Sequence, residues 1–204
     1  MIAYAESNFV LEVALGQEQA ADAQAIIELA ENSVIELGLP SFSIAEPFGT
    51  IERRGRDRGR LYRGLGEQLR EMSRSLPHQE AVNLLQPLLA SLVGVKSTEE
   101  GLILQTIARL LKCCRIIHLD SDIFARVLEL RTSTDLSFSD LVILSTVLHD
   151  LESRPLHEQK WFISRNWRHF RDSSVIAELH RFGCRYCESF QEGLTEILAA
   201  RKES

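Results

Sequence analysis

Apolar residues recur along the chain with two periods, and the two periods alternate. Short apolar runs of strand length end in polar residues, while longer stretches carry apolar residues at helical spacing. The predicted strands are residues 2–5, 40–44, 115–119, 161–164 and 184–187, the last at an edge of the sheet. Strands that alternate with helices predict an α/β protein with a mostly parallel central sheet, covered by helices on both faces.

The predicted helices fall between these strands. A helix is expected over 18–37, ended by Gly38 as a C-terminal glycine, and others over 123–130, 137–151, 173–181 and 190–198. Residues 55–112 carry leucine stripes at helical spacing and no strand pattern. We therefore predict one domain over 1–204 with a helical insertion at 55–112.

Composition places the chain among ordinary globular proteins. Of its 204 residues, 45% are hydrophobic and 25% charged, and no apolar run approaches the ~20 residues of a membrane span. The N-terminus lacks the basic and apolar regions of a signal peptide. Cys184 and Cys187 form a CxxC without a second pair at zinc spacing, so all four cysteines are expected to be structural thiols. We expect a cytoplasmic protein that is not bound to a membrane.

Positive charge is clustered although the net charge is −6. One stretch holds Arg53, Arg54, Arg56, Arg58, Arg60 and Arg63, and a second holds Arg165, Arg168 and Arg171 among Trp167, His169 and Phe170. Local basic patches of this kind bind nucleic acid even in acidic proteins. A solvated helix face explains single arginines equally well, and aromatic residues can pin a loop to the core.

Four polar residues stand where the predicted strands end or the next helix begins. They are Glu6, Glu46, Asp140 and Asn166. In a parallel sheet whose first, second and fourth strands are central, these positions converge beyond the carboxyl ends of the strands. Carboxylates gathered there repel each other, and a cation relieves the repulsion. Oxygen-only ligands favour Mg²⁺ or Mn²⁺, which can activate water and stabilise charge on a phosphate.

Four segments resemble, in order, the acidic motifs of PIN-domain nucleases. They are Ala3-Tyr4-Ala5-Glu6-Ser7-Asn8, Ser43-Ile44-Ala45-Glu46, Leu136-Ser137-Phe138-Ser139-Asp140 and Phe162-Ile163-Ser164-Arg165-Asn166. The resemblance implies a three-layer α/β/α sandwich and an endoribonuclease that hydrolyses RNA phosphodiester bonds through a Mg²⁺ or Mn²⁺ site. Many members are toxins of toxin–antitoxin pairs, which implies an antitoxin or other protein partner, and a homo-oligomer is a further expectation.

Two positions depart from the family pattern. Glu6 stands where the family usually has aspartate, and Asn166 where it often has aspartate. Glutamate reaches one methylene further, and asparagine lowers the negative charge of the site. The alternative function is therefore an RNA-binding or protein-interaction module with the same fold and a weakened or inactive site.

Each motif also has a structural interpretation. Ser43-x-x-Glu46 and Ser137-x-x-Asp140 match capping boxes at helix starts. Ser7 and Asn8 are candidates either to support the site or to cap the following helix, and Ser164 is a candidate to hold a metal-bound water. Asp120 and Asp122 are expected to be structural, because they flank the start of a helix and suit its dipole; if the third strand is an outer one, they also lie too far away to join the cluster.

The candidate RNA contacts lie in the two basic clusters. They are Arg53, Arg54, Arg56, Arg165, Trp167 and Arg168. The arginines are expected to hold phosphates, and Trp167, with His169, to stack on an unpaired base beside the acidic site.

Overall fold

The computed structural model describes residues 1–203 and contains one five-stranded sheet. The strands are β1 (Ile2–Ala5), β2 (Glu36–Pro40), β3 (Cys114–Ile117), β4 (Lys160–Ile163) and β5 (Cys184–Cys187). The helices are α1 (Ser7–Leu15), α2 (Ala20–Glu31), α3 (Phe42–Met72), α4 (Gln79–Ser91), α5 (Val95–Cys113), α6 (Ser121–Leu130), α7 (Phe138–Glu152), α8 (Trp167–Phe170), α9 (Ser173–Arg181) and α10 (Phe190–Glu203). A short 3-10 helix (Leu76–His78) precedes α4.

All strands are parallel and lie in the order β3-β2-β1-β4-β5. The chain therefore builds the sheet outward from β1 in both directions. The strand order reverses between β1 and β4, and such a switch point is where parallel sheets bind ligands. The first, second and fourth strands are therefore central and the third is an outer one, which is the arrangement that the convergence of the four polar residues requires.

Helices cover both faces of the sheet, which confirms the predicted three-layer α/β/α architecture. On one face, the side chains of Tyr4 and Phe162 share a buried apolar core with residues of α6, α7, α8 and α9. On the other face, Ile163 packs against Gly193 of α10, and α10 in turn packs on α2. The alternation of side chains along each strand directs neighbouring residues to opposite layers.

The helix predicted over 18–37 is wrong in its last part, residues 32–37. That helix, α2, ends at Glu31, and Gly38 lies inside β2, paired with Tyr4. A Cβ at Gly38 would stand 2.8 Å from Tyr4 Cδ1, so the glycine is explained by close packing against an aromatic ring. The second strand accordingly lies at Glu36–Pro40, four residues before its predicted start.

The other predicted elements are confirmed in kind and to within a few residues. The four remaining strands and the helices after residue 120 appear where the pattern indicates, and β5 is an edge strand. The single-turn helix α8 was not predicted, because four residues are too few for helical periodicity to appear. No range was predicted for the helix α1; the sequence indicated it only through Ser7 and Asn8 as candidate capping residues.

The chain divides into two compact units, which are residues 1–47 with 103–204 and residues 48–102. The first contains the sheet. The second, here called the helical unit, consists of the continuation of α3, the 3-10 helix, α4 and the start of α5. In α4 the side chains of Leu84 and Leu88 are 73% and 66% exposed. The predicted bounds of the insertion, 55–112, and its role stay predictions.

The cysteines are free thiols, and Cys184 and Cys187 are buried in β5. Burial raises the pKa of both thiols, so they stay protonated at neutral pH. Within residues 1–203, no helix combines the length and the apolar character that crossing a membrane requires.

Candidate functional site

Glu6 joins β1 to α1, and its carboxylate caps that helix. Its Oε2 accepts a hydrogen bond of 2.8 Å from the backbone N–H of Asn8, and its Oε1 accepts one of 2.9 Å from Ser164 Oγ. The residue is only 3% exposed. Burial, reinforced by the charges of Glu46 and Asp140 and opposed by the two hydrogen bonds, raises the pKa of Glu6 to about 7.

Asp140 lies in the first turn of α7 and is also buried. Ser137 caps the helix: its Oγ accepts a hydrogen bond of 3.2 Å from the Asp140 backbone N–H and donates one of 2.5 Å to Asp140 Oδ2. Asn166 Nδ2 donates a hydrogen bond of 2.8 Å to Asp140 Oδ1, and His169 Nδ1 lies 2.7 Å from Asp140 Oδ2. The capping interpretation of Ser137 is confirmed, and the same carboxylate also faces the end of β4.

Glu46 has a different partner from the one predicted. Ser43 lies inside α3, which begins at Phe42, and among the described residues its buried Oγ has no hydrogen-bond partner. The capping box at Ser43 is therefore wrong. Glu46 Oε2 instead accepts a short hydrogen bond from Ser7 Oγ, which belongs to the first turn of α1. Neither Ser7 nor Asn8 caps α1, because Glu6 does so.

Side chains from three distant segments form a continuous hydrogen-bonded chain. Glu6 accepts a hydrogen bond from Ser164 Oγ, and the same Oγ accepts one of 3.0 Å from the backbone N–H of Asn166. The side-chain amide of Asn166 in turn donates a hydrogen bond to Asp140. Ser7, next to Glu6, extends the set to Glu46. The parallel strands β1 and β4 end at the same edge, which is why residues far apart in sequence meet here.

His169 is a neighbour of Asp140 that sequence reasoning assigned only to base stacking. It lies on α8, one turn after Asn166, and its ring nitrogen contacts the Asp140 carboxylate. A histidine three residues after a candidate ligand is the signal that could have suggested this contact. By contrast, Asp120 caps α6 after the outer strand β3, as expected.

The candidate RNA contacts have mixed surroundings. Arg165 is held by ion pairs of 2.6 Å to buried Glu12 and 2.9 Å to Glu18, which bind the loop after β4 to α1 and its neighbour. Trp167 is 47% exposed beside Asn166, and the Arg168 guanidinium lies 5.5 Å from the centre of its ring. Three further candidates, Arg53, Arg54 and Arg56, belong to the helical unit.

The donor set matches a hard divalent cation in its chemistry. Glu6, Glu46 and Asp140 supply carboxylate oxygens, and Asn166 supplies an amide oxygen. Within residues 1–203, however, no three or more His, Cys, Asp or Glu side chains are arranged as a ready metal site. The carboxylates take hydroxyl, amide and imidazole partners in this structure, so binding a cation requires them to exchange these partners.

The fold and this cluster define a class of protein: a three-layer α/β/α domain with an acidic cluster at the switch point of its parallel sheet. No family model matches the sequence, and no curated protein matches it. One similar solved structure is VapBC2 from Rickettsia felis bound to a DNA fragment from their promoter. That chain is 14% identical, with 84% of this chain and 92% of that chain covered and a TM-score of 0.44.

Proposed function

We propose that this protein is a PIN-like, metal-dependent endoribonuclease that hydrolyses RNA phosphodiester bonds. The observation that carries the proposal is the meeting of Glu6 and Asp140 through Ser164 and Asn166, where β1 and β4 end. Two buried carboxylates at one sheet edge carry an unfavourable charge unless a cation compensates it. The order of the four motifs along the sequence supports the same assignment.

Mg²⁺ or Mn²⁺ would be held by Glu6, Glu46 and Asp140, with Asn166 as the fourth oxygen donor. When bound, such an ion supplies an activated water and stabilises the charge that develops on a phosphate. The protein's own contribution is orientation. Ser164 and Asn166 are held at the end of a central strand, so their polar atoms keep Glu6 and Asp140 in place.

RNA would approach beside α8. Trp167 presents an exposed indole next to Asn166, and Arg168 lies over that ring. An exposed aromatic face stacks on an unpaired base with little sequence preference. A single-stranded substrate therefore fits this edge of the site better than a duplex, whose bases are already stacked.

The test is cleavage of a labelled single-stranded RNA with Mg²⁺ or Mn²⁺, compared with EDTA. We expect metal-dependent cleavage by the wild type and loss of at least a hundredfold in the Glu6→Gln/Asp140→Asn double variant. The matched control is Glu28→Gln/Glu129→Gln, which removes two exposed carboxylates elsewhere in the sheet-containing unit. Equal activity in the two double variants, when both are folded, overturns the assignment.

A second candidate function is a module that binds RNA or a protein without cutting. It is favoured by one observation: hydroxyl, amide and imidazole groups already satisfy the carboxylates, so the cluster can stand without a cation. Calorimetric titration with Mn²⁺ separates the two functions. Mn²⁺ binding that is lost in Asp140→Asn supports the nuclease, whereas RNA binding with no Mn²⁺ binding supports the module.

A protein partner belongs to the same proposal. An antitoxin or a second copy of this chain is the kind of partner that the family resemblance implies. Light scattering on the purified protein measures whether it is a homo-oligomer, and co-expression with a neighbouring small protein tests for an antitoxin.

A further inference from the structure

The helical unit contains a groove that is lined mainly by positive charge. Its cavity has a volume of about 460 Å³ and is lined by Glu52, Gly55, Arg56, Gly59, Arg60, Arg63 and Lys96. Four of these side chains are cationic and one is anionic. A local excess of this size is notable in a chain whose net charge is −6.

Two glycines of α3 line this groove, and each has a cationic side chain beside it. Gly55 and Gly59 are one helical turn apart on α3, so they face the same side of the helix. A Cβ at Gly55 would stand 3.0 Å from Lys96 Cδ, and one at Gly59 would stand 3.8 Å from Arg63 Nη1. The aliphatic stem of Lys96 therefore lies against Gly55, and the guanidinium of Arg63 stands beside Gly59.

An ion pair joins α3 and α5, the two helices that carry the lining residues of the groove. Arg58 on α3 binds Glu99 in the first turns of α5 through both of its terminal nitrogens, and both side chains are largely shielded from solvent. This contact holds Lys96, which lies one turn before Glu99, against α3. The groove is thus a defined feature of the helical unit.

The cations themselves are available to a ligand. Arg56 and Arg60 make only long, exposed ion pairs of 3.4 Å to Glu52 and 3.5 Å to Asp57. Lys96 pairs with Glu100 at 3.5 Å, also at the surface. Exposed pairs of this kind contribute little free energy, so a phosphate can replace them at small cost. Among the described residues, no ion pair involves Arg63.

The arginine side chains of the groove are spread along α3 and are not gathered at one point. Arg56 and Arg63 are seven residues apart on one helix, which corresponds to about 10 Å along its axis. A row of this length is longer than one phosphate group, so it matches a chain of phosphates better than a single one. An isolated phosphate ion would use only part of it.

We propose that this groove of the helical unit binds the phosphate backbone of RNA, at a site separate from the acidic cluster. Of the three candidate RNA contacts in this region, Arg53, Arg54 and Arg56, only Arg56 lines the groove. Arg60 and Arg63, which belong to the same basic stretch, and Lys96 complete the set. The positive charge of the groove indicates a polyanionic ligand, and the choice of RNA as that polyanion rests on the proposed function.

The test is fluorescence anisotropy of a labelled 20-nucleotide single-stranded RNA, measured in EDTA so that no cleavage occurs. Arg63→Gln/Lys96→Gln is compared with Arg70→Gln/Arg74→Gln, which removes two exposed charges from the same unit outside the groove. We expect the groove variant to bind at least tenfold more weakly at low salt. Its slope of log Kobs against log salt should fall by about 1.4, the value for two lost phosphate contacts on a single strand. The control should lose less than threefold.

Unchanged affinity in the groove variant overturns the proposal, and so does an equal loss in both variants, which would mean diffuse attraction. Circular dichroism confirms that each variant is folded, and Arg60→Gln alone serves as a milder variant should the double variant unfold. Competition with duplex DNA and with inorganic phosphate identifies the ligand, and stronger binding of either than of RNA also overturns the proposal. Binding is measured again in the Glu6→Gln/Asp140→Asn background. If this variant still binds RNA while the wild type does not cleave it, the nuclease assignment is wrong but the RNA-binding groove stands.

Discussion

Ser164 Oγ, at the end of β4, donates a hydrogen bond of 2.9 Å to Glu6 Oε1, at the end of β1. The two residues are 158 positions apart, and both are buried. The same Oγ accepts from the backbone N–H of Asn166. One hydroxyl therefore joins a buried carboxylate to the start of the loop that carries the other polar residues of the site.

Replacing Ser164 by alanine is expected to destabilise the protein by about 1–3 kcal/mol. The change leaves a buried carboxylate and a backbone N–H without their partner, and unsatisfied buried groups cost that much. The free energy of unfolding from urea titrations measures the effect. Ser145→Ala is the matched control, because Ser145 is equally buried and, within residues 1–203, its Oγ has no hydrogen-bond partner. A similar loss in both variants would contradict a special role for Ser164.

Stability without metal is expected to fall as pH rises from about 5 to about 8. In the folded protein Glu6 has a pKa of about 7, above the ordinary value of 4.5, so the folded state binds the proton more tightly than the unfolded state. That contribution is complete below pH 4.5 and is lost as pH passes 7, amounting to roughly 3 kcal/mol for a shift of this size. Urea titrations in EDTA across this range measure it. Glu6→Gln should show a flatter profile, and an unchanged profile would mean that Glu6 is not the group responsible.

Mn²⁺ is expected to stabilise the folded protein. A ligand that binds only the folded state adds about 2.7 kcal/mol at one hundred times its Kd, and the added charge also offsets the repulsion among the carboxylates. Thermal melts at pH 7.5 with increasing Mn²⁺ record this as a rise in Tm. Asp140→Asn should show a much smaller rise, whereas Glu28→Gln should behave as the wild type does. Equal rises in all three proteins would indicate binding elsewhere.

Gly193→Ala and Gly64→Ala are expected to change stability in opposite directions. Both glycines lie inside helices, where alanine is favoured by about 1 kcal/mol. An added Cβ at Gly193 would overlap three atoms of Ile163 in the central strand β4, whereas at Gly64 no atom lies within 4 Å. Overpacking at Gly193 should cost about 1–3 kcal/mol, and Gly64→Ala should be neutral or stabilising. Chemical denaturation of the two variants checks this, and a stabilised Gly193→Ala would refute the close packing of α10 on β4.

The sequence alone was enough to predict the α/β class and most strands and helices, because these depend on local periodicity and on turn residues. Polar residues such as Glu6 and Asn166 were identifiable for the same reason, since Glu6 directly follows an apolar run and Asn166 lies three residues after one. Local pattern failed at Gly38, where a helical stripe ran on into a strand. What decided that position was the ring of Tyr4 in the neighbouring strand.

Only the tertiary structure decided which polar groups are partners. Ser43-x-x-Glu46 has the spacing of a capping box, yet Glu46 pairs with Ser7, and Arg165 is engaged by Glu12 and Glu18. Such pairs form between segments that the strand order brings side by side, and strand order depends on the free energy of the whole packed sheet. Spacing within one segment carries no information on that order. Apart from Ser137 beside Asp140, the groups around the carboxylates therefore emerged only with the fold.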